Sequence, residues 1–225
     1  MELIMEQFPI VIQSLNVGFL QTLKLFFVTL LGALPLGLII AFGSMSHFRP
    51  LKYITNIIVW VVRGTPLMIQ MLIIYYFPGL VLNNVVWGGG ESGRFVAASV
   101  AFIFNYACYF SVIYRGGIQS VPQGQTEAGR SLGLNFTQTM RLIIIPQAFK
   151  NVLPALVNEF IVLIKETSII GYIGMMDLTK GAMLIQSRTY NAFMPLLAAA
   201  AIYLIVVMVL TFFMNKLERR LRTSE

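Results

Sequence analysis

The sequence predicts an all-α integral membrane protein with five transmembrane helices, the N-terminus outside and the C-terminus inside. The 225 residues are 57% hydrophobic and only 11% charged, whereas a soluble domain carries about 25% charged residues. Apolar runs close to the ~20 residues that span a bilayer recur along the chain. Lys and Arg gather in alternate connectors and in the tail, which is the pattern of cytoplasmic segments.

The five spans are expected at residues 17–42, 53–77, 95–114, 146–165 and 195–214. Glu2 and Glu6 precede the first run, whereas a secretory signal begins with positive charge, so we expect a retained helix there. The third and fifth runs contain no charged residue.

Length alone does not decide whether the fourth apolar segment crosses the membrane. Its cleanest apolar stretch, residues 151–164, contains Glu159 and is short enough for a re-entrant segment. The connector 115–150 and the tail from Lys216 to Arg222 are both basic and therefore expected in the cytoplasm. Because the span at 195–214 lies between them, one more crossing is needed, and only residues 146–165 can supply it.

Two outer connectors join the spans. Residues 78–94 contain Asn83-Asn84 and three consecutive glycines, and we expect a flexible loop there. Residues 167–191 carry apolar residues near helical spacing. This is typical either of a surface helix lying on the bundle or of part of an outer gate. Asp177, the only aspartate, is expected outside the core.

The sequence contains no catalytic, metal-binding or cofactor-binding constellation. His47 is the only histidine and Cys108 the only cysteine, which argues against a His-rich metal site and an intrachain disulfide. The phosphate-binding loop of ATPases, the zinc-protease helix motif and the hydrolase nucleophile motif are absent. The net charge of +7 is spread over connectors, so we do not expect nucleic-acid binding. We predict neither an enzyme nor a chain that binds ATP itself.

Three polar residues are expected near the middle of the membrane: Arg63 in the second span, Asn105 in the third and Glu159 in the fourth. A charge at the centre of a membrane helix costs about 2.5–3.5 kcal/mol on insertion scales, so such residues are functional hypotheses by default. The arginine could bind the carboxylate of a zwitterionic solute and the glutamate its ammonium. Alternatively, Arg63 and Glu159 pair with each other, or with backbone carbonyls, and hold the helices together.

The run Arg63-Gly64-Thr65-Pro66 predicts a break within the second span, since Pro66 removes a helical hydrogen bond and Gly64 loosens the turn. Broken backbone at membrane depth is tolerated only inside protein or along a water-filled cavity. The run therefore indicates either a solute pathway or a purely structural kink.

The inner connector predicts a helical corner between about residues 122 and 146. Gly133 can end a first helix in a left-handed cap, and Asn135 can begin a second with Gln138 in the capping-box position. Pro146 then opens the fourth span. The corner is either a rigid docking element in the cytoplasm or an ordinary amphipathic hairpin at the surface.

The same connector resembles the EAA loop in the permease subunits of bacterial ABC importers. That family pattern is Glu-Ala-Ala, three residues, Gly, nine residues and Ile-x-Leu-Pro. The chain has Glu127-Ala128-Gly129, Gly133 and Ile143-Ile144-Ile145-Pro146 at the same spacing, with Gly129 and Ile145 as the departures. The runs 63–67 and 158–168 resemble the polar-amino-acid branch of the family, and the resemblance extends over about residues 14–220.

The resemblance implies a type I ABC importer permease of the bacterial cytoplasmic membrane, with residues 1–225 as one transmembrane domain. It implies two ATPase subunits, which bind ATP and Mg²⁺, a second permease, identical or related, and an extracytoplasmic amino-acid-binding protein. The residues expected to couple to the ATPases are Glu127, Ala128, Gly129, Arg130 and Gly133. The residues expected to bind substrate are Glu159, Arg63, Asn105 and Asn158.

The implied substrate is a polar or basic amino acid. Glu159 favours arginine, lysine or histidine, although the same carboxylate could bind the α-ammonium of glutamine or another amino acid. The main alternative function is a subunit of a secondary transporter or channel that works without ATP. Such a protein needs ion-coupling carboxylates of its own, and Glu159 is the only candidate that the sequence offers.

Overall fold

The computed structural model describes residues 2–84, 86–191 and 193–222, and these residues are helical almost throughout. The helices are α1 (Glu2–Met45), α2 (Arg49–Arg63), α3 (Leu67–Val81), α4 (Gly90–Gln119), α5 (Gln123–Ser131), α6 (Phe136–Thr139), α7 (Ile145–Glu166), α8 (Leu178–Thr189) and α9 (Phe193–Arg222). A π-helical turn, Met140–Ile144, joins α6 to α7, and a 3-10 segment, Thr167–Ile173, follows α7. The all-α fold class is confirmed.

Helices α1 and α4 form the centre of the molecule, and small residues let them approach closely. A Cβ atom added to Gly32 would lie 2.6 Å from Cδ1 of Ile103, and one added to Gly37 would lie 3.0 Å from the carbonyl oxygen of Ala107. Lipid provides no hydrophobic driving force for helix association. Membrane helices therefore depend on close van der Waals packing, which small residues such as these glycines allow. The largest buried aromatic side chains, Phe102, Tyr106 and Phe110, all lie on α4.

Helix α8 packs on the bundle between α1 and α9, as one of the two interpretations of this segment predicts. Its N-cap is Asp177, whose carboxylate accepts hydrogen bonds from the backbone N–H groups of Gly171 and Lys180. Asp177 is 0% exposed, and burial raises the pKa of its carboxyl to about 6 against the opposing effect of these hydrogen bonds. The expectation that Asp177 lies outside the core is wrong, because capping draws it between α8 and the 3-10 segment.

Three of the described helices are individually long and apolar enough to cross a membrane: Leu15–Met45, Gly90–Gln119 and Phe193–Arg220. Helices α2 and α3 together could form a fourth span, although their axes are bent by 104°. Helix α7 has 22 residues, which is long enough to span a bilayer, and it exceeds the expected 146–165 by one residue at each end. The count of five spans and their orientation stay predictions.

Candidate functional site

The predicted break lies between α2 and α3. Helix α2 ends at Arg63, Gly64 follows as its C-cap, and α3 begins after Pro66, whose backbone is extended at φ −65° and ψ 133°. The break is confirmed, and it divides the expected second span into two helices bent by 104°. The cause is local, because proline lacks the N–H and restricts the residue before it to extended conformations.

The side chain of Gln70 forms hydrogen bonds with backbone and side-chain groups at the break. Its Nε2 donates to the carbonyl oxygen of Val62 at 2.7 Å and to Oγ1 of Thr65 at 2.6 Å. Its Oε1 accepts from Nδ2 of Asn105 on α4 at 2.9 Å. Asn105 is only 3% exposed, so its amide anchors the break to α4, and its contact with solute stays a prediction.

Arg63 is exposed at the end of α2, and its guanidinium carbon lies 5.0 Å from the ring centroid of Tyr109 on α4. Such a cation–π contact is worth about 0.5–1 kcal/mol at an exposed site. Arg63 and Glu159 both belong to the described part of the chain, and no salt bridge within 4.0 Å joins them. A role for these two residues in binding solute, and a role in holding the helices together, both stay predictions.

Two carboxylates of α7 lie opposite the aromatic side of α4. Oε2 of Glu166 accepts a hydrogen bond from the buried hydroxyl of Tyr106 at 2.7 Å. Glu159 is half-buried seven residues earlier, on the same face of α7, and it lies within electrostatic range of Tyr106 and Arg63. Asn158, the neighbouring predicted residue, is exposed.

The rings of Tyr106 and Tyr109, with centroids 6.1 Å apart, connect the arginine to the carboxylates. The structure thus brings together one guanidinium, two carboxylates and two phenol rings from α2, α4 and α7. Such a set can bind a cation through its carboxylates and rings, and a carboxylate through Arg63. Within the described residues, no group of three or more His, Cys, Asp or Glu could hold a metal ion.

Sequence reasoning did not identify Gln70 or Glu166 as site residues. The sequence does contain a signal for Glu166: it lies seven residues after Glu159, and residues seven apart on a helix share a face. For Gln70 the available signal is an amide that follows closely behind a Gly-Thr-Pro break, where freed carbonyls need donors.

The inner corner has the predicted form. The backbone N–H groups of Gly133 and Leu134 donate to carbonyls near the end of α5 at 2.9 and 3.1 Å, which is a Schellman cap. Gly133 has φ +78°, a left-handed conformation that glycine adopts freely. Asn135 and Gln138 form the predicted capping box, each side chain accepting from the other's backbone N–H at 2.9 Å.

Gly129, one of the departures from the EAA pattern, is buried inside the corner. A Cβ atom there would lie 3.0 Å from Cγ2 of Thr139 and 3.1 Å from Cδ1 of Ile143, so glycine lets α5 lie closely against the π-helical turn. Nε2 of Gln147 on α7 also donates to Oε1 of Gln125 on α5 at 3.3 Å. The corner is therefore bonded to the helix that carries both carboxylates.

The opposite side of the corner faces outward. Glu127, Ala128 and Arg130 are exposed on α5, and the apolar side chains of Leu132 and Phe136 are 78% and 72% exposed at its tip. Exposed apolar side chains rimmed by polar residues are typical of a surface that binds another protein.

Comparison with known proteins places this geometry in context. Residues 33–223 match the family model described as "Binding-protein-dependent transport system inner membrane component". The chain is 37% identical over 220 residues to the arginine transport system permease protein ArtQ of Bacillus subtilis (strain 168), covering 97% of this chain and 95% of ArtQ. It is also 37% identical over 204 residues to the putative glutamine transport system permease protein GlnP of Rickettsia conorii, covering 91% of each.

Two further comparisons agree. The L-cystine transport system permease protein TcyB of Bacillus subtilis (strain 168) is 37% identical over 209 residues, covering 92% of this chain and 86% of TcyB. A crystal structure of an amino acid ABC transporter with histidines contains a chain that is 39% identical, with 97% of each chain covered and a TM-score of 0.86.

Replacing Gln70 with leucine is expected to lower the free energy of unfolding by about 1–3 kcal/mol, because the buried amide of Asn105 loses its partner. Asn105→Leu alone leaves Oε1 of Gln70 unpaired and should also be destabilising. The two changes together should lower the free energy of unfolding by less than the sum of the single changes, because neither amide is then left without its hydrogen-bond partner. A double-mutant cycle from unfolding of the purified protein in detergent checks this, and strictly additive losses would count against the bond.

Proposed function

We propose that this chain, which belongs to the family of binding-protein-dependent transport system inner membrane components, forms the solute pathway of an ATP-driven importer of cationic amino acids. Its relatives are transport permeases, so the chain is a transport subunit of the bacterial inner membrane and not an enzyme. It acts with ATPase subunits and a second permease. The family assignment replaces the alternative of a secondary transporter or channel that works without ATP.

The excess of negative charge at the candidate site is the observation that carries the choice of solute. Glu159 and Glu166 share one face of α7, Arg63 lies within electrostatic range of Glu159, and Glu166 accepts its hydrogen bond from the neutral hydroxyl of Tyr106. A neutral zwitterion needs one cation and one anion as partners, so the second carboxylate is available for a positively charged side chain. Tyr109 adds a ring that attracts guanidinium and ammonium groups. ArtQ, one of the relatives, is an arginine transport protein.

The exposed corner supports docking of the ATPase subunits. In this proposal the surface formed by Glu127, Ala128 and Arg130 enters a cleft of an ATPase, while Gly129 and Gly133 give the corner its shape. Two ATPases bind ATP and Mg²⁺, and each receives the corner of one permease. Residues 122–146 then serve as the coupling part of a single transmembrane domain over residues 1–225.

The bonds between the corner and α7 support direct transmission of motion to the solute site. Because α5 packs on the π-helical turn through Gly129 and is bonded to Gln147, a displacement of α5 moves the start of α7 with it. Helix α7 continues from Gln147 through Pro154 to Glu159, and the first and last of these residues lie about 18 Å apart along its axis. Closure of the ATPases therefore changes the position of Glu159 relative to α4.

Polar residues on the surface of the bundle support a second permease beside this one. Arg63 and Asn158 are exposed at positions expected to lie at membrane depth, where contact with lipid is costly. An identical or related permease covers this face and keeps the polar site away from lipid. An extracytoplasmic binding protein delivers the amino acid to the outer end of the bundle.

Gly133→Ala is expected to uncouple transport from ATP hydrolysis. A side chain at φ +78° is strained by about 1–2 kcal/mol, which shifts the equilibrium between the capped corner and its other shapes by roughly tenfold against the capped form. ATP-driven amino-acid uptake into proteoliposomes is the measurement. Gly124→Ala on α5, where an added Cβ meets nothing within 4 Å, is the matched control and should keep normal uptake. Equal uptake by both variants would argue against the corner as the coupling element.

Glu159→Gln is expected to reduce arginine uptake by about tenfold or more, because a charge-assisted hydrogen bond to the solute is lost. Assembly with the ATPases should be unchanged. The matched control is Glu91→Gln, since Glu91 is exposed and its bond from Gln21 needs only an acceptor oxygen, which glutamine retains. Uptake kinetics measured in proteoliposomes test this role. An unchanged KM and kcat for Glu159→Gln would contradict the assignment of Glu159 as a residue that binds the solute.

A further inference from the structure

A cavity of about 490 Å³ lies between α9 and the junction at which α7, the 3-10 segment and α8 meet. The end of α7 contributes Lys165, the 3-10 segment contributes Ser168 and α8 contributes Thr179. All three belong to the end of the bundle that the connectors predict to face outward. The cavity is separate from the candidate solute site, because none of the residues of that site lines it.

One wall of the cavity is a stripe along α9. Its side chains are apolar or aromatic and recur at helical spacing, so they share one face of the helix: Leu196, Ala199, Ala200, Tyr203, Leu204 and Val207. The stripe is about 16 Å long. Leu196 and Leu204 are 39% and 59% exposed, so the cavity is a groove that is open along α9. It runs from the polar residues at the outer end toward the middle of the fifth expected span.

Lys165 brings an unpaired positive charge to the outer end of this groove. Its side chain is exposed, and its ammonium forms no hydrogen bond or ion pair with the described residues. The neighbouring carboxylates are engaged elsewhere, since Glu166 accepts from Tyr106 and Asp177 caps α8. The hydroxyl of Ser168 follows three residues later, on the same side of the chain. The groove therefore offers one cation and hydroxyl groups at one end and apolar surface along the rest.

We propose that the groove binds an anionic phospholipid of the outer leaflet, with its phosphate at Lys165 and Ser168 and an acyl chain along α9. Charge and polarity both select this occupant. An unpaired ammonium at the membrane surface attracts a phosphate, and the apolar stripe suits a hydrocarbon chain. A zwitterionic amino acid would leave the stripe uncovered. The inference does not depend on which solute the chain transports.

The groove lies at the edge of the surface that the second permease is proposed to cover. Lys165 follows Asn158 by seven residues, so the two residues share a side of α7. A lipid in the groove contacts α9, α8 and the segment that follows Glu166. It therefore fills the gap that these elements leave beside the partner permease and holds α9 against the outer ends of α7 and α8.

The test uses quenching of tryptophan fluorescence by brominated lipids in the complex with its ATPases, reconstituted into vesicles. The chain contains two tryptophans, Trp60 and Trp87, and replacing both by phenylalanine gives a background for single reporters. Leu204→Trp reports on the groove. Ile205→Trp, at an equally exposed neighbour that does not line the groove, is the matched control. The complex without a reporter gives the signal of the partner subunits.

The vesicles contain phosphatidylcholine and a rising fraction of phosphatidylglycerol, with one or the other lipid brominated on its chains. Both lipids carry a phosphate, but the choline cation neutralises the headgroup of the first. The comparison therefore isolates the net negative charge that Lys165 is proposed to recognise.

Leu204→Trp should show about a tenfold preference for phosphatidylglycerol over phosphatidylcholine, the factor expected for one charge-assisted bond. Ile205→Trp should show no preference. Lys165→Met should remove the preference, and Lys165→Arg should keep it, because a guanidinium also binds phosphate. Ala200→Phe, which fills the groove, should remove the preference while Lys165 is intact. Lys52→Met on α2 is the matched lysine control and should change nothing.

Equal quenching of Leu204→Trp by the two lipids would overturn the anionic-lipid site, as would a preference that survives Lys165→Met or Ala200→Phe. An equal loss of preference with Lys52→Met would reveal a general effect of surface charge and would overturn it as well. Absence of quenching at Leu204→Trp, with normal quenching at Ile205→Trp, would show that protein such as the second permease fills the groove in place of lipid. None of these readings requires transport, so each leaves the import function to its own tests.

Discussion

A break in a helix at membrane depth must keep its backbone groups paired, because lipid offers no hydrogen-bond partner. Gln70 meets this constraint by donating to the end of α2, and Asn105 fixes Gln70 from the buried face of α4. With the break anchored there, α2 ends where Arg63 can lie over Tyr109. The polar site between α2, α4 and α7 depends on this anchor, since Gln70 and Asn105 hold the end of α2 against α4.

Helix α7 gives the site its second essential property, which is a connection to the corner formed by residues 122–146. It begins at the π-helical turn, receives the corner through Gly129 and Gln147, and carries Glu159 and Glu166 further along. Glu166 bonds to Tyr106 on α4 from the end of α7 that is far from the corner. One helix thus links the corner with the carboxylates of the candidate site.

The sequence predicted best what short-range chemistry decides. Gly133, Asn135 and Gln138 determine the corner through contacts within four residues, and α7 has nearly the expected bounds because apolar length sets them. Partners distant in sequence were not predictable from spacing: Gln70 meets Asn105 across 35 positions and Tyr106 meets Glu166 across 60. Asp177 was misplaced for the same reason, since its burial depends on how α8 packs on α1. The angle between α2 and α3 likewise depends on α4, which sequence patterns do not show.

We propose that this permease admits cationic amino acids to a pathway driven by a partner ATPase. The most direct measurement is ATP hydrolysis by the reconstituted complex, with its binding protein, in the presence of single amino acids. We expect arginine, lysine or histidine to stimulate hydrolysis and uptake together, and neutral amino acids to do so more weakly. Stimulation by glutamine or cystine with none by the cationic amino acids would contradict the charge argument, and no stimulation by any amino acid would contradict the import function.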